Sequence, residues 1–293
     1  MTVHVGWFTT ARGGGSRAMY EAVMAAIADG TLDARISFVF TNRDRGEDPV
    51  TDDFFARIDA DGVPLIAKSS VRFRRARDGA RSQSGTPLPA WRGDFDREVA
   101  AALASYRFDI GVLAGYMLIF TAEFVERYPL LNLHPALPTG PIGTWREVNR
   151  ALIRDGATES GVMMNLAIPA VDEGPVVGYC RYPITGPEFD AARAELPAEP
   201  RADAIPDDDA LESSRLFGLI REAGLRREAP FLVELLCAFA AGRVRVEDGS
   251  VTYASGRAAL PIDLTDEVNE RLLTPASTGT VLTAGQADGD TVS

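Results

Sequence analysis

Histidine and cysteine are scarce in this chain, which holds two of each among its 293 residues. Cys180 and Cys237 stand apart, with no zinc-type spacing and no disulfide framework, which fits a reducing, cytoplasmic setting. Long apolar runs are missing too: none approaches the about 18 residues of a membrane span. Met1 leads almost directly into a strand pattern, without the basic and apolar stretches of a signal peptide. Positive charge is in deficit, with Lys+Arg 30 against Asp+Glu 42 and a net charge of −12. Much of the acid surplus falls between Glu188 and Glu212. Such a chain repels polyanions, so nucleic acid, charged tRNA included, is a poor partner, and a small anionic substrate needs local donors. A Walker loop and a dinucleotide fingerprint are both absent. What is present is an ordinary globular balance, 46% hydrophobic and 25% charged, with enough length for a sizeable core.

Val3 to Phe8 is an apolar run that ends in Thr9-Thr10 and a glycine cluster, Gly13-Gly14-Gly15. A helical pattern follows through Met19, Val23, Met24 and Ile27 to Gly30. Strand, glycine loop and helix in that order open an α/β unit. Further strands are expected at Ile36–Phe40, Val63–Ile66, Ile110–Ala114 and from Leu130 to Leu133, with helices at Asp52–Ile58, Asp94–Tyr106 and Thr121–Tyr128. The sheet they form should be parallel with right-handed crossovers. The second half differs. Gly161–Ile168 and Pro175–Ile184 are apolar runs joined by a sharp connection. Residues 186–211 are rich in Pro, Ala, Asp and Glu and read as an exposed loop. Two packing helices are expected at Ser213–Ala223 and Ala229–Ala241, and a hairpin around Asp248-Gly249. The fold class is therefore α/β, a mostly parallel twisted sheet with helices on both faces and antiparallel C-terminal additions. One domain is expected over 1–260, its N-terminal half on the substrate side and 110–185 on the catalytic side. A frayed tail completes the chain over 261–293.

Of the two histidines, His4 lies within the first strand pattern and reads as structural. His134 follows an apolar strand in Leu131-Asn132-Leu133-His134-Pro135. Period two puts Asn132 and His134 on one face, and Pro135 ends the strand beside them. Ligands of open α/β sheets bind outside such carboxyl ends. A carboxamide next to an imidazole can hold an oxyanion and manage a proton, although a satisfied core pair has the same pattern. Asp172, in Val171-Asp172-Glu173-Gly174-Pro175, reads on its own as a turn aspartate. The loop Arg12-Gly13-Gly14-Gly15-Ser16-Arg17 offers backbone amides at a helix start and suits a phosphate; a plain turn with Ser16 as N-cap fits equally. The run Arg72, Arg74, Arg75, Arg77 and Arg81 reads as a solvated loop, and Trp7, Trp91 and Trp145 as packing.

Together these segments resemble the folate-dependent formyltransferases, and among them the phosphoribosylglycinamide formyltransferases. The resemblance rests on Leu113-Ala114-Gly115-Tyr116-Met117, on Leu131 through Pro138, on Gly161 through Asn165, and on Val171 through Pro175. The opening loop, Thr41-Asn42 and the stretch from Glu228 to Arg243 add to it. It implies a triad of Asn132, His134 and Asp172, and a folate ring beside Met117, Phe120, Ala170 and Val171. It implies that Gly14, Gly15, Ser16 and Arg17 meet a substrate phosphate and that Glu228 meets a ribose. N10-formyltetrahydrofolate is then the co-substrate, a small amine the acceptor, and purine biosynthesis the setting, with no metal required.

Several positions depart from that family. Leu118 stands where an arginine is usual, and Met163-Met164-Asn165 where Thr-Val-His is usual. Thr139 through Trp145 replace a glycine- and histidine-containing loop, Arg17 replaces Asn, and the loops at 69–91 and 186–211 are longer. The changes cluster on the acceptor side. They leave open a different amine, such as an amino sugar or a specialised metabolite, hydrolysis of the formyl-folate, and a folate-binding protein without turnover.

Overall fold

The computed structural model describes residues 2–82, 86–170, 173–196, 208–247, 249–254 and 260–273. Ten strands and ten helices follow one another along these stretches. The first half runs β1 (Val3–Thr9), α1 (Gly14–Ala28), β2 (Ala34–Thr41), α2 (Pro49–Ala60), β3 (Leu65–Ala67), α3 (Ser70–Arg75), α4 (Trp91–Leu103), β4 (Ile110–Leu113), α5 (Ala122–Arg127) and β5 (Leu130–His134). The second runs α6 (Trp145–Arg154), β6 (Glu159–Leu166), β7 (Val176–Pro183), α7 (Pro187–Ala194), α8 (Asp208–Glu212), α9 (Arg215–Ala240), β8 (Val244–Glu247), β9 (Ser250–Tyr253), β10 (Ile262–Asp263) and α10 (Thr265–Leu273).

Eight strands form one sheet in the order β10-β7-β6-β5-β4-β1-β2-β3. β6 pairs antiparallel with both neighbours, and every other pairing in the sheet is parallel. β8 and β9 make a separate antiparallel hairpin. Alternating strand residues feed two cores. Trp7, Val39, Leu131 and Val162 pack with Val23 of α1, Phe54 of α2, Val148 of α6 and Phe231 of α9. Phe8, Phe40 and Leu130 pack on the other face with Phe73 of α3, Phe95 of α4 and Phe124 of α5.

Local chemistry sets several helix starts. Asp48 caps α2 ahead of Pro49, Thr144 and Glu147 form a reciprocal capping box on α6, and the Ser214 hydroxyl caps α9. α6 went unpredicted although Thr144-x-x-Glu147 is its signature. The two expected C-terminal helices are a single one, α9, with Pro230 inside it. Proline costs one backbone hydrogen bond, but Leu216, Phe217 and Ile220 before it and Phe231, Leu232 and Leu235 after it share the core, which keeps the helix continuous. Segments expected to be loops also carry helices: α3 in 69–91, and α7 and α8 in 186–211. Within the arginine run, Arg72 pairs with Asp44 and Glu47, and Arg77 pairs with Glu98 and lies 3.5 Å above the Phe73 ring. The expected boundary at 260 falls short of the folded body, because β10 joins the main sheet beside β7 and Arg271 of α10 pairs with Glu234 of α9. The expected tail from Thr274 lies outside the described residues.

Candidate active site

The chain leaves β1 toward β2 and β3 on one side of the sheet, whereas β4 and β5 lie on the other. Loops leaving β1 and β4 therefore diverge at the sheet's carboxyl edge, where an α/β sheet opens a ligand crevice. Thr10 bridges the two loops: its N–H donates to the Gly115 carbonyl at 3.1 Å, and its Oγ1 accepts from the Met117 N–H at 2.9 Å. Gly115 takes φ +67°, and a Cβ there would sit 3.2 Å from Ser16 Cβ, so both conformation and close approach call for glycine.

Asn132 and His134 lie at the end of β5, one strand farther along. Leu131 and Leu133 point into the α1/α9 core, which leaves Asn132 and His134 together on the opposite face. Asn132 is half-buried, and the His134 ring is 3% exposed. His134 Nε2 lies 3.0 Å from the Pro141 carbonyl oxygen. A carbonyl only accepts, so Nε2 carries the hydrogen, and Nδ1 is left for other chemistry. The partner carbonyl belongs to the 139–145 loop that the sequence marked as a departure. Asp172 and Val171, the other expected members of this site, lie outside the described residues. Ala170 is exposed, and its carbonyl accepts from Glu173 N–H at 3.3 Å.

The loop from Tyr116 to Thr121 is anchored from below by α4. Arg92 Nη2 donates to the Ile119 carbonyl at 2.6 Å, and Asp96 accepts from Thr121 N–H at 2.7 Å. Both side chains are buried and face each other at 3.4 Å. Burial holds the Asp96 carboxyl above its usual range, against the pull of Arg92. Burial likewise pushes the Tyr116 phenol up. Met117, in this anchored loop, is 57% exposed. Phe120 is not: its ring is 6% exposed and stacks between Tyr116 and Phe124, with centroids 4.6 and 4.1 Å away. Only the backbone of Phe120 is left to line a ligand, because its side chain completes an aromatic core.

The glycine loop is also rearranged relative to expectation. Gly13, not Ser16, is the N-cap of α1, and no side chain caps that helix. The Ser16 hydroxyl turns inward, donating to the Ala114 carbonyl at 2.8 Å and meeting Thr9 Oγ1 at 2.6 Å. Arg17 is engaged with Glu21 one turn on. What faces outward is the uncapped backbone of Gly14 and Gly15, a favourable place for an anion. Glu228 comes to this same spot from the middle of α9 rather than from the start of a helix. Its Oε2 would lie 3.3 Å from a Cβ on Gly15, while Oε1 accepts from Arg221 at 3.1 Å. Arg221 and Arg146 each sit 4.5 Å from the Trp145 ring centroid. Trp145 thus joins the 139–145 loop to Glu228 through Arg221. Arg43 stands at the end of β2, with Nε buried and unpartnered and its guanidinium depressed by burial and by Arg12. The sequence did not single out Arg43, Arg92, Arg221 or the pairing of Asn165 with Asn132; only the position of Arg43 beyond an apolar strand hinted at a place near the crevice.

Among the described residues there is no group of three or more His, Cys, Asp or Glu placed to hold a metal, and no helix is long and apolar enough to cross a membrane. Two surface hollows lie among other residues, one lined by Glu195, Ser213, Ser214 and Arg215, the other by Arg243, Tyr253 and Ile262.

Comparison with known proteins identifies the class of protein. The model of the formyl transferase family matches residues 12–193, more than half of the chain, and the chain belongs to that family. Phosphoribosylglycinamide formyltransferase of Escherichia coli (strain K12) is 33% identical over 92 residues, 31% of this chain and 42% of that protein. Formyltetrahydrofolate deformylase of the same strain is 37% identical over 92 residues, 29% of this chain and 31% of that protein. The match thus spans less than half of either relative. Glycinamide ribonucleotide transformylase 1 from Symbiobacterium toebii has a similar fold, with TM-score 0.58 at 20% identity over 86% of this chain and 94% of that one. A formyltetrahydrofolate deformylase from Pseudomonas syringae pv. tomato str. DC3000 reaches TM-score 0.57 at 14% identity, over 86% of this chain and 66% of that one.

Proposed function

We propose that this protein transfers a formyl group from N10-formyltetrahydrofolate to the amine of a small, phosphorylated acceptor of the phosphoribosylglycinamide type. The observation that carries this proposal is the pairing of Asn132 and His134 at the end of β5, with His134 Nε2–H bonded to the Pro141 carbonyl. The acceptor's neutral amine attacks the formyl carbon, forming a C–N bond and placing negative charge on the formyl oxygen. Asn132 donates its amide N–H to that oxygen. His134 donates as imidazolium, and with Nε2–H already engaged the second donor is Nδ1–H. Asp172 favours the imidazolium and orders a water that carries the amine proton to N10. Collapse of the tetrahedral species breaks the bond from carbon to N10 and releases formylated amine and tetrahydrofolate.

The acceptor side follows the same logic. The uncapped amides of Gly14 and Gly15, next in sequence to an Arg12 that is paired with Asp48, suit a phosphate, and Glu228 Oε2 suits a sugar hydroxyl. Met117, the backbone of Phe120 and the stretch 170–172 hold the folate ring. The relatives named as deformylases support a second possibility, in which water takes the place of the amine. Incubating the protein with N10-formyltetrahydrofolate, with and without glycinamide ribonucleotide and a panel of other amines, separates the two. Folate release coupled to a formylated product is expected. Release that is independent of any amine would move the assignment to hydrolysis, and the absence of both would refute it.

A further inference from the structure

Asn165 sits directly opposite Asn132 across the antiparallel pair β5/β6, as Met163 sits opposite His134. Ala167 N–H donates to the Leu130 carbonyl. Alternation along the ladder then makes Asn132 and Asn165 a hydrogen-bonded pair, with Cα atoms about 5.5 Å apart and side chains on one face. Asn165 is 1% exposed, yet its Oδ1 has no hydrogen-bond partner. Its neighbour on the far side, Val176, is apolar. Burying an acceptor without a donor costs the full desolvation of that oxygen, and such groups persist where a ligand supplies the donor.

We propose that Asn165 Oδ1 is the subsite for the attacking amine: it accepts one N–H of the acceptor and aims the nitrogen lone pair at the formyl carbon held by Asn132 and His134. This rests on the formyl-transfer proposal above and adds a substrate class, primary amines. One N–H is held by Asn165, and the other is the proton that leaves for N10. As the C–N bond forms, the nitrogen turns cationic and its N–H becomes a stronger donor, so the contact tightens toward the transition state. The two carboxamides divide the developing charges, with Asn132 giving an N–H to the oxyanion and Asn165 an oxygen to the ammonium. Asn165 takes no proton, because an amide oxygen is too weak a base.

The test compares the unsubstituted protein with Asn165→Leu and Asn165→Asp, using N10-formyltetrahydrofolate and glycinamide ribonucleotide or whichever amine is turned over. Asn165→Leu is expected to lose about tenfold or more in kcat/KM for the amine while the folate Kd stays within about twofold. Its melting temperature should equal or exceed that of the unsubstituted protein, because an orphaned oxygen gives way to an apolar group of similar size. Asn165→Asp keeps the oxygen and should lose less. An unchanged kcat/KM in Asn165→Leu would overturn the proposal, as would a parallel loss of folate affinity or a fall in melting temperature that accounts for the lost activity. Failure of the unsubstituted protein to formylate any amine would instead overturn the functional assignment beneath it.

Discussion

Replacing Arg92 by methionine should unfasten the loop that carries Met117. Arg92 is buried on the first turn of α4, facing Asp96 and holding the Ile119 carbonyl. Methionine fills much of the same space but strands the Asp96 carboxylate in the interior. Removing one partner of a buried ion pair costs about 3–5 kcal/mol. For a protein of this size that is a fall of roughly 6–15 °C in melting temperature. The loss should also depend on pH with a defined sign. Asp96 already titrates above its ordinary value of 3.8, through burial, and Arg92 is the strongest influence pulling it down. Without Arg92 the folded-state value rises further. The penalty is then fully present above that value and fades as pH falls toward the unfolded value, because the protonated acid is buried without charge. Denaturant unfolding at pH 7.5 and pH 5 measures both effects, and folate Kd reports on the loop. A double variant, Arg92→Met with Asp96→Asn, should recover most of the stability, since no lone charge remains and the amide oxygen can still accept from Thr121 N–H. A deficit below about 1 kcal/mol in Arg92→Met, or one that does not shrink at pH 5, would refute this account of the anchor.

Other expectations follow from the same geometry. Asn132→Ala and His134→Ala should each lower kcat about 100-fold with the fold retained, checked by steady-state rates beside circular dichroism. Gly15→Ala should raise the acceptor KM roughly tenfold, about 1.4 kcal/mol, because its Cβ presses on Glu228 and Leu225. Folate affinity should not change. Hydrogen bonds from Thr144 hold the Glu147 carboxyl below its usual range. Its stabilising effect is therefore present above the unfolded value near 4.5 and lost as pH falls through the folded one. Glu147→Gln, which keeps the capping box uncharged, should flatten the acid limb of an unfolding curve below about pH 5.

Much of the fold was legible because its periodicities are local. The apolar runs Val3–Phe8 and Ile110–Ala114 read as buried parallel strands, and they form β1 and β4 of the parallel part of the sheet. Leu131-Asn132-Leu133-His134-Pro135 revealed both the strand and the face of its polar pair, and the motif resemblance pointed to the family that comparison finds. Helices were expected at Ser213–Ala223 and Ala229–Ala241, and one helix runs through both, because a local pattern does not see the core that residues before and after Pro230 share. Phe120 was expected beside a ligand, but sequence has no means of knowing that Tyr116 and Phe124 stack on either side of it.

The succession of strands and helices along the first half of the chain, the carboxamide and imidazole at the end of β5, and the glycine cluster after β1 were determined by residue type and spacing along short stretches of chain, whereas the order of strands within the sheet was not. Tertiary structure alone decided which way the polar atoms turn. The Ser16 hydroxyl goes to a carbonyl 98 positions away, the His134 hydrogen to Pro141, Glu228 to the edge of Gly15, and the Asn165 oxygen to a place beside Asn132 with no donor. The physical reason is one of range: secondary structure is set by neighbours within a few residues, whereas a buried hydrogen bond depends on whichever distant group the packed fold brings within about 3 Å.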